Sequence, residues 1–129
     1  MNDTSPLQPG HRVPHFELRD VDGRPVRYAD TWQRRNLVFV SLPENQGGEY
    51  VAELRARASA FDEQECTWVA AHEPLPGLAA PGLLVADRWG EIVHIATPPS
   101  VRDLPPANLL LQWLEAIEHR CPECEGEAR

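Results

Sequence analysis

The hydrophobic and polar positions of the chain change their period several times. VPHFELRD at 13–20 alternates apolar and polar side chains, VDG at 21–23 is a turn signal, and PVRY at 25–28 alternates again. This pattern predicts a β-hairpin. LVFVSL at 37–42 is a nearly continuous apolar run, which is typical of a central strand that is buried on both faces.

The period becomes helical between residues 49 and 64, where apolar residues recur at helical spacing. TWVAA at 67–71 is a second buried strand, so that a strand, a helix and a strand form one βαβ unit. GLLVAD at 82–87 and EIVHIA at 91–96 flank a turn and predict a second hairpin. A last apolar stripe predicts a helix over 104–119, with Asp103 as its cap. This order of elements predicts an α/β fold with helices that flank a mixed central β-sheet.

The length of 129 residues, with 42% hydrophobic and 25% charged residues, fits one globular domain. We expect a lead-in at 1–10, a domain at 11–119 and a C-terminal tail at 120–129. The formal net charge of -8 disfavours nucleic acids and anionic membranes as partners. The sequence has neither an apolar run of about 18 residues nor a signal-peptide pattern, so the expected location is the cytoplasm.

Two stretches of the sequence carry motifs in a characteristic order. The first contains a glycine, Pro-x-Phe-x-Leu, an Asp-x-x-Gly turn and an apolar strand, at Gly10, Pro14, Phe16, Leu18, Asp20, Gly23 and 37–42. The second, PGLLVADRWGEIVHIA at 81–96, contains a proline, an apolar strand, an Asp-x-x-Gly turn and a returning strand. Together they resemble the alkyl hydroperoxide reductase/thiol-specific antioxidant group of peroxiredoxins over most of residues 9–97. The resemblance implies a thioredoxin-like fold.

The resemblance also bears on residues near the end of the central strand. It implies that Pro81 is the cis-proline that thioredoxin-fold proteins hold against their active-site loop; the alternative is a loop proline that starts a strand. The connection over 72–82 is short for a peroxiredoxin, which implies a trimmed version of the fold. His72 and Glu73 end a strand, where α/β proteins often place functional groups, although exposed polar residues are the simpler interpretation.

The sequence departs from the family at the expected reactive cysteine. In the family this cysteine begins the helix after the central strand, where backbone N–H groups and the helix dipole lower the thiol pKa. Here residues 43–50 read PENQGGEY, without Cys, Ser or Thr. Asn45 and Gly48 stand near the positions of a thioredoxin's two cysteines. We therefore expect no peroxidase activity of the peroxiredoxin kind.

Cys121 and Cys124 are the candidate catalytic residues. Cys-Pro-Glu-Cys is similar to the redox motif of glutaredoxins, and its spacing allows a disulfide. The pair would exchange electrons with a redox partner protein through a mixed disulfide. It follows the end of the predicted helix and has four glutamates close by, which should raise both thiol pKa values and slow the attack.

The same segment allows two other interpretations. His119, Cys121 and Cys124 offer up to three ligands for a structural zinc ion, which needs four. The fourth would come from Cys66, from another histidine or from a second copy of the chain. Alternatively, the terminal cysteines have no specific role. Cys66 itself opens a buried strand, where a free cysteine is most often a small hydrophobic residue.

Two classes of function follow. One is a thiol–disulfide protein that works through Cys121 and Cys124. The other is a non-catalytic binding or regulatory module that keeps the fold without its chemistry, because a fold does not dictate a function. No cofactor is expected, and the sequence leaves the metal, the substrate, the partner and the oligomeric state open.

Overall fold

The computed structural model describes the backbone of residues 6–128 and the side chains of residues 6–118. Its strands and helices, in chain order, are β1 Glu17–Arg19, β2 Pro25–Arg27, β3 Asn36–Ser41, α1 Gly48–Ala56, α2 Ala58–Glu63, β4 Cys66–Ala71, β5 Gly82–Ala86, β6 Ile92–Ala96 and α3 Ala107–Ala128. Two short 3-10 helices lie at Tyr28–Asp30 and Val101–Asp103.

β3 lies inside a four-stranded sheet with the order β4-β3-β5-β6. It pairs parallel with β4, and antiparallel with β5, which pairs antiparallel with β6. Every residue of β3 is buried, as the continuous apolar run predicts. β1 and β2 form the predicted N-terminal hairpin, as a separate two-stranded sheet. The mixed sheet with flanking helices confirms the predicted fold class.

The two faces of β3 and β5 contribute to different hydrophobic clusters, because successive strand residues point in opposite directions. Val38, Val40 and Leu83 belong to the cluster that includes buried residues of all three helices. Leu37, Phe39 and Leu84 belong to a second cluster, which includes Phe16 and Tyr28 from the N-terminal part of the chain. The helices therefore cover one face of the sheet, and the N-terminal part covers the other.

The helices differ from the sequence prediction in their limits. The predicted helix over 49–64 is divided at Arg57, whose backbone leaves helical geometry at φ -111° and ψ 19°. α3 begins at Ala107 instead of 104, because Leu104 is extended before two consecutive prolines and proline disfavours the helical conformation of the residue before it. α3 ends at Ala128, so its backbone continues through most of the predicted tail at 120–129. The division into domain and tail stays a prediction.

Among the described residues, none of the helices combines the length and the apolar character that a bilayer-spanning segment requires.

Candidate functional site

The loop that joins β3 to α1 lies at the end of the sheet where three strand connections meet. Ser41, the last residue of β3, is opposite Ala71 of β4 and opposite Gly82 of β5. The residues that continue from these positions are Leu42, His72 and Pro81 (which precedes Gly82), so the register brings them to one edge. The Ala80–Pro81 peptide bond is cis, as the resemblance implies.

The start of α1 is built on glycine. Gly47 has φ 92°, in the left-handed region, and an added Cβ would lie 2.7 Å from both terminal methyl carbons of Leu42. Any other residue there is strained in its backbone and collides with Leu42. Gly47 provides no side chain to cap α1, and the first backbone bond of the helix runs from Val51 N–H to Gly47 C=O. The N–H groups of the first turn are therefore those that a ligand acceptor can meet.

His72 lies against this loop with a defined hydrogen-bonding role. Its Nδ1 is 3.3 Å from the carbonyl oxygen of Leu42 and 3.1 Å from that of Pro43. Both oxygens can only accept, so Nδ1 carries the proton and donates. In the neutral ring this leaves Nε2 as an acceptor.

Two grooves meet at the start of α1, and both are lined by Gln46, Gly47 and Gly48. The smaller groove has a volume of about 310 Å³, and its other lining residues include Leu42, Val51, Arg55 and His72. The larger groove has a volume of about 710 Å³, and its other lining residues include Glu49, Tyr50, Glu53, Val101 and Arg102. A Cβ built on Gly48 meets nothing within 4 Å, so this residue borders open space.

Long-range contacts fix the walls of both grooves. Arg55 of α1 donates to both carboxylate oxygens of Asp22, in the β1–β2 turn, at 2.7 and 2.8 Å.

The Tyr50 hydroxyl donates to the Pro105 carbonyl at 2.5 Å, and burial, reinforced by the nearby charge of Glu53, raises the pKa of Tyr50. Glu53 accepts a bond from the Ala107 N–H at 2.8 Å and thereby caps α3. The sequence predicts Asp103 as that cap, but Asp103 lies in the preceding 3-10 helix.

Cys66 is remote from this loop. It pairs with Asn36 at the opposite end of β3, so the six residues of β3, about 20 Å of extended chain, separate it from the start of α1. Cys66 is buried, and burial raises the pKa of its thiol to about 12. Its interpretation as a small core residue is confirmed.

The side chains of His119, Cys121 and Cys124 lie outside the described residues. The backbone of α3 passes through all three positions. The structure therefore neither brings the predicted catalytic pair together nor separates it. Within the part of the chain that the structure describes, no three His, Cys, Asp or Glu side chains are grouped so that they could hold a metal ion.

Sequence reasoning identifies the loop, His72 and Pro81, because each directly follows or precedes a recognisable strand. It misses the larger groove. The segment from Ser100 to Pro106 lines this groove together with the start of α1, and no local sequence pattern connects the two. The sequence indicates the groove only through the Gly47-Gly48 pair, which marks exposed backbone.

No model of a protein family matches this sequence, and a search of curated proteins finds no match. Solved structures do match it. The mitochondrial 2-Cys peroxiredoxin of Plasmodium falciparum is similar with a TM-score of 0.70 and 10% identity, over 87% of this chain and 95% of that chain. The reduced 2-Cys peroxiredoxin of Plasmodium vivax gives 0.68 and 14%, over 88% and 83%.

Peroxidoxin BcpB of Mycobacterium tuberculosis gives a TM-score of 0.66 and 18% identity, over 86% of this chain and 98% of that chain. At these identities the likeness shows the fold. The chain has the peroxiredoxin-like thioredoxin fold.

Proposed function

We propose that this peroxiredoxin-like domain does no peroxide chemistry and instead binds an extended segment of a partner protein across the start of α1. The observation that carries the proposal is the pair of grooves that meet at Gln46, Gly47 and Gly48. They occupy the position at which the resemblance implies a reactive cysteine, and residues 43–50 supply no nucleophile there.

The geometry of the grooves suits a segment with an extended backbone. Volumes of about 310 and 710 Å³ lie in the usual range of ligand sites, roughly 300–1,000 Å³. Gly48 has no side chain between the two grooves, so that a partner backbone can approach α1 closely. Side chains on either side of the crossing point would then enter the smaller and the larger groove.

Peroxide reduction needs a thiolate at the site, and the described part of the chain supplies none. Cys66 stays protonated at neutral pH, because burial raises its pKa to about 12. We expect the purified chain, with dithiothreitol as reductant, to consume hydrogen peroxide no faster than its Cys66→Ala/Cys121→Ser/Cys124→Ser variant. Rapid turnover that this variant loses would overturn this part of the proposal.

Peptide binding is tested with a phage-displayed random peptide library on the immobilised chain, followed by synthesis of the enriched peptides. Gly48→Phe places a ring at the junction of the grooves, and its Cβ has no protein atom within 4 Å, so the variant should weaken binding at least tenfold. Ser59→Phe adds the same ring at an exposed position of α2 and should bind like the wild type. Enriched peptides that bind Gly48→Phe as tightly as the wild type would overturn the proposal.

We propose thiol–disulfide exchange through Cys121 and Cys124 as a second function, supported by the Cys-Pro-Glu-Cys motif. The thiolate of one cysteine would attack a partner disulfide, form a mixed disulfide and release one partner thiolate. The second cysteine would then displace the other partner sulfur. The chain would be oxidised to a disulfide, and the partner would be reduced by two electrons.

The pH dependence of iodoacetamide labelling tests this second function. Both positions lie in the C-terminal half of α3, where the dipole disfavours a thiolate, so we expect labelling pKa values at or above about 8.5. Reduction of a glutathione-based mixed disulfide substrate by the wild type, lost in Cys121→Ser, would support it. Full protection of both thiols by one equivalent of zinc, lost in Cys121→Ser, would replace it with the metal half-site that includes His119.

A further inference from the structure

The residues around the grooves indicate the chemistry of the partner. We infer that the segment that crosses Gly48 is basic and places an arginine side chain in the smaller groove. The inference rests on the proposed binding function and adds to it the class of partner: an arginine-bearing, extended protein segment.

His72 supplies the first argument. Its Nδ1 proton is used by the carbonyl oxygens of Leu42 and Pro43, so in the neutral ring the remaining nitrogen, Nε2, is an acceptor on a residue that lines the smaller groove. An acceptor requires a donor from the ligand. A guanidinium group carries five N–H donors and no acceptor, which makes it the side chain that fits such a site best.

Exposed carboxylates supply the second argument. Glu49 lines the larger groove. Glu44 and Glu73 are also exposed and adjoin groove residues in sequence, because Glu44 precedes Gln46 by two positions and Glu73 follows His72. None of the ion pairs between described side chains involves them. We call these three residues the rim carboxylates. Their combined charge favours a cationic segment and repels an acidic one.

The positive groups at the site do not cancel this preference. Arg55 is neutralised by Asp22 at 2.7 Å, which leaves Arg102 in the larger groove against the rim carboxylates. The uncapped N–H groups at the start of α1 attract an acceptor, and the backbone carbonyl groups of a bound segment provide one. The two kinds of contact therefore address different parts of the same segment, its side chains and its backbone.

Three fluorescein-labelled nonapeptides test the inference on the full, reduced chain. The first is Ser-Arg-Ser-Arg-Leu-Arg-Ser-Arg-Ser, and the other two carry glutamine or glutamate in place of every arginine. Binding is measured by fluorescence polarisation in 50 mM sodium chloride. We expect the arginine peptide to bind about tenfold more tightly than the glutamine peptide, since several exposed charge pairs each contribute a factor of about two to five. The glutamate peptide should bind most weakly.

Matched variants locate the effect. Glu44→Gln/Glu49→Gln/Glu73→Gln should weaken the arginine peptide about tenfold. Glu63→Gln/Glu91→Gln/Glu115→Gln removes the same charge from exposed positions elsewhere and should change the affinity less than twofold. His72→Asn keeps a donor for the loop carbonyl groups and loses Nε2, so it should weaken the arginine peptide about fivefold and leave the glutamine peptide unchanged.

Equal affinity for the arginine and glutamine peptides, or equal losses in the two triple variants, would overturn the inference. If Gly48→Phe then still abolishes the binding of both peptides, the proposed binding function stands without its charge preference. If Gly48→Phe binds them like the wild type, the proposed function falls as well. A complete lack of binding by the arginine peptide also overturns the inference.

Discussion

Glu118 of α3 accepts a hydrogen bond from the side-chain amide of Asn36, with 2.6 Å between Oε2 and Nδ2. Asn36 is the first residue of β3 and is fully buried. Arg88, in the turn between β5 and β6, donates to the same carboxylate at 3.1 Å and to Glu65 at 2.9 Å. One carboxylate thus connects α3 to the central strand and to the β5–β6 turn, at the end of the sheet opposite the candidate site.

Removal of this carboxylate should destabilise the fold. Glu118→Ala leaves a buried amide N–H without its acceptor, which costs about 1–3 kcal/mol in the free energy of unfolding. Urea unfolding at pH 7 measures it. Glu115→Ala, one turn earlier and exposed, should stay within about 0.5 kcal/mol of the wild type. Equal stabilities of the two variants would contradict the role of the Glu118–Asn36 bond.

The two tyrosines of the core should respond differently to the loss of their hydroxyl groups. Tyr50 donates to Pro105 at 2.5 Å, so Tyr50→Phe should lose about 1 kcal/mol. The Tyr28 hydroxyl is buried and has no hydrogen-bond partner in the described part of the chain, so Tyr28→Phe should be neutral or stabilising. Urea unfolding compares them. A larger loss in Tyr28→Phe than in Tyr50→Phe would show that the orphan hydroxyl has a partner.

Alkaline pH should destabilise the fold through buried acidic groups. Burial raises the pKa of Cys66 from 9.0 to about 12 and, with a smaller effect of Asp87, that of Tyr28 from 10.0 to about 12. Between pH 9 and 12 the unfolded chain has released protons that the folded chain still holds. Stability is therefore complete below pH 9 and falls as the pH rises towards 12.

Urea unfolding at pH 8 and at pH 11 measures this loss. Cys66→Ala should lose less stability between the two values than the wild type, because one titrating group is gone. The same pH dependence in both chains would show that the Cys66 thiol ionises equally in the folded and unfolded states.

The local pattern of apolar residues is sufficient to predict most of the four-stranded sheet. Each of the four strands is a short apolar run that ends at a turn signal, and all four lie in one sheet as predicted. Asn36 is the exception, because a polar residue at the edge of an apolar run gives no sign of burial. Its partner Glu118 is 82 positions away in sequence, and only the packed structure brings the two together.

The candidate site, too, could be predicted from the sequence only where its residues adjoin recognisable strands. His72 and Pro81 adjoin strand ends, so the order of strands and the family resemblance place them beside the loop. The grooves depend on Tyr50 with Pro105 and on Glu53 with Ala107, contacts between residues 55 and 54 positions apart. No periodicity encodes such contacts, so the cavity at Gly48 is found only in the structure.

The start of α1 should still favour a thiolate, although the chain places no sulfur there. Gly48→Cys, in a Cys121→Ser/Cys124→Ser background, puts a thiol at the first residue of an uncapped helix, where N–H groups and the dipole stabilise negative charge. Glu49 opposes this effect, so the expected labelling pKa is about 7–8, below the free value of about 8.5.

Gln112→Cys, in the same background, is the matched control. Residue 112 is exposed, lies beyond the first turn of α3 and has Glu115 one turn away, so its thiol should keep a pKa near or above about 8.5. The rate of iodoacetamide labelling from pH 5 to 10 measures both values, and Cys66 stays unlabelled because it is buried. Glu49→Gln should lower the pKa at position 48 further. A pKa at position 48 equal to or above that at position 112 would contradict the prediction. It would mean that this helix start lacks both the cysteine and the electrostatic field that stabilises a reactive thiolate.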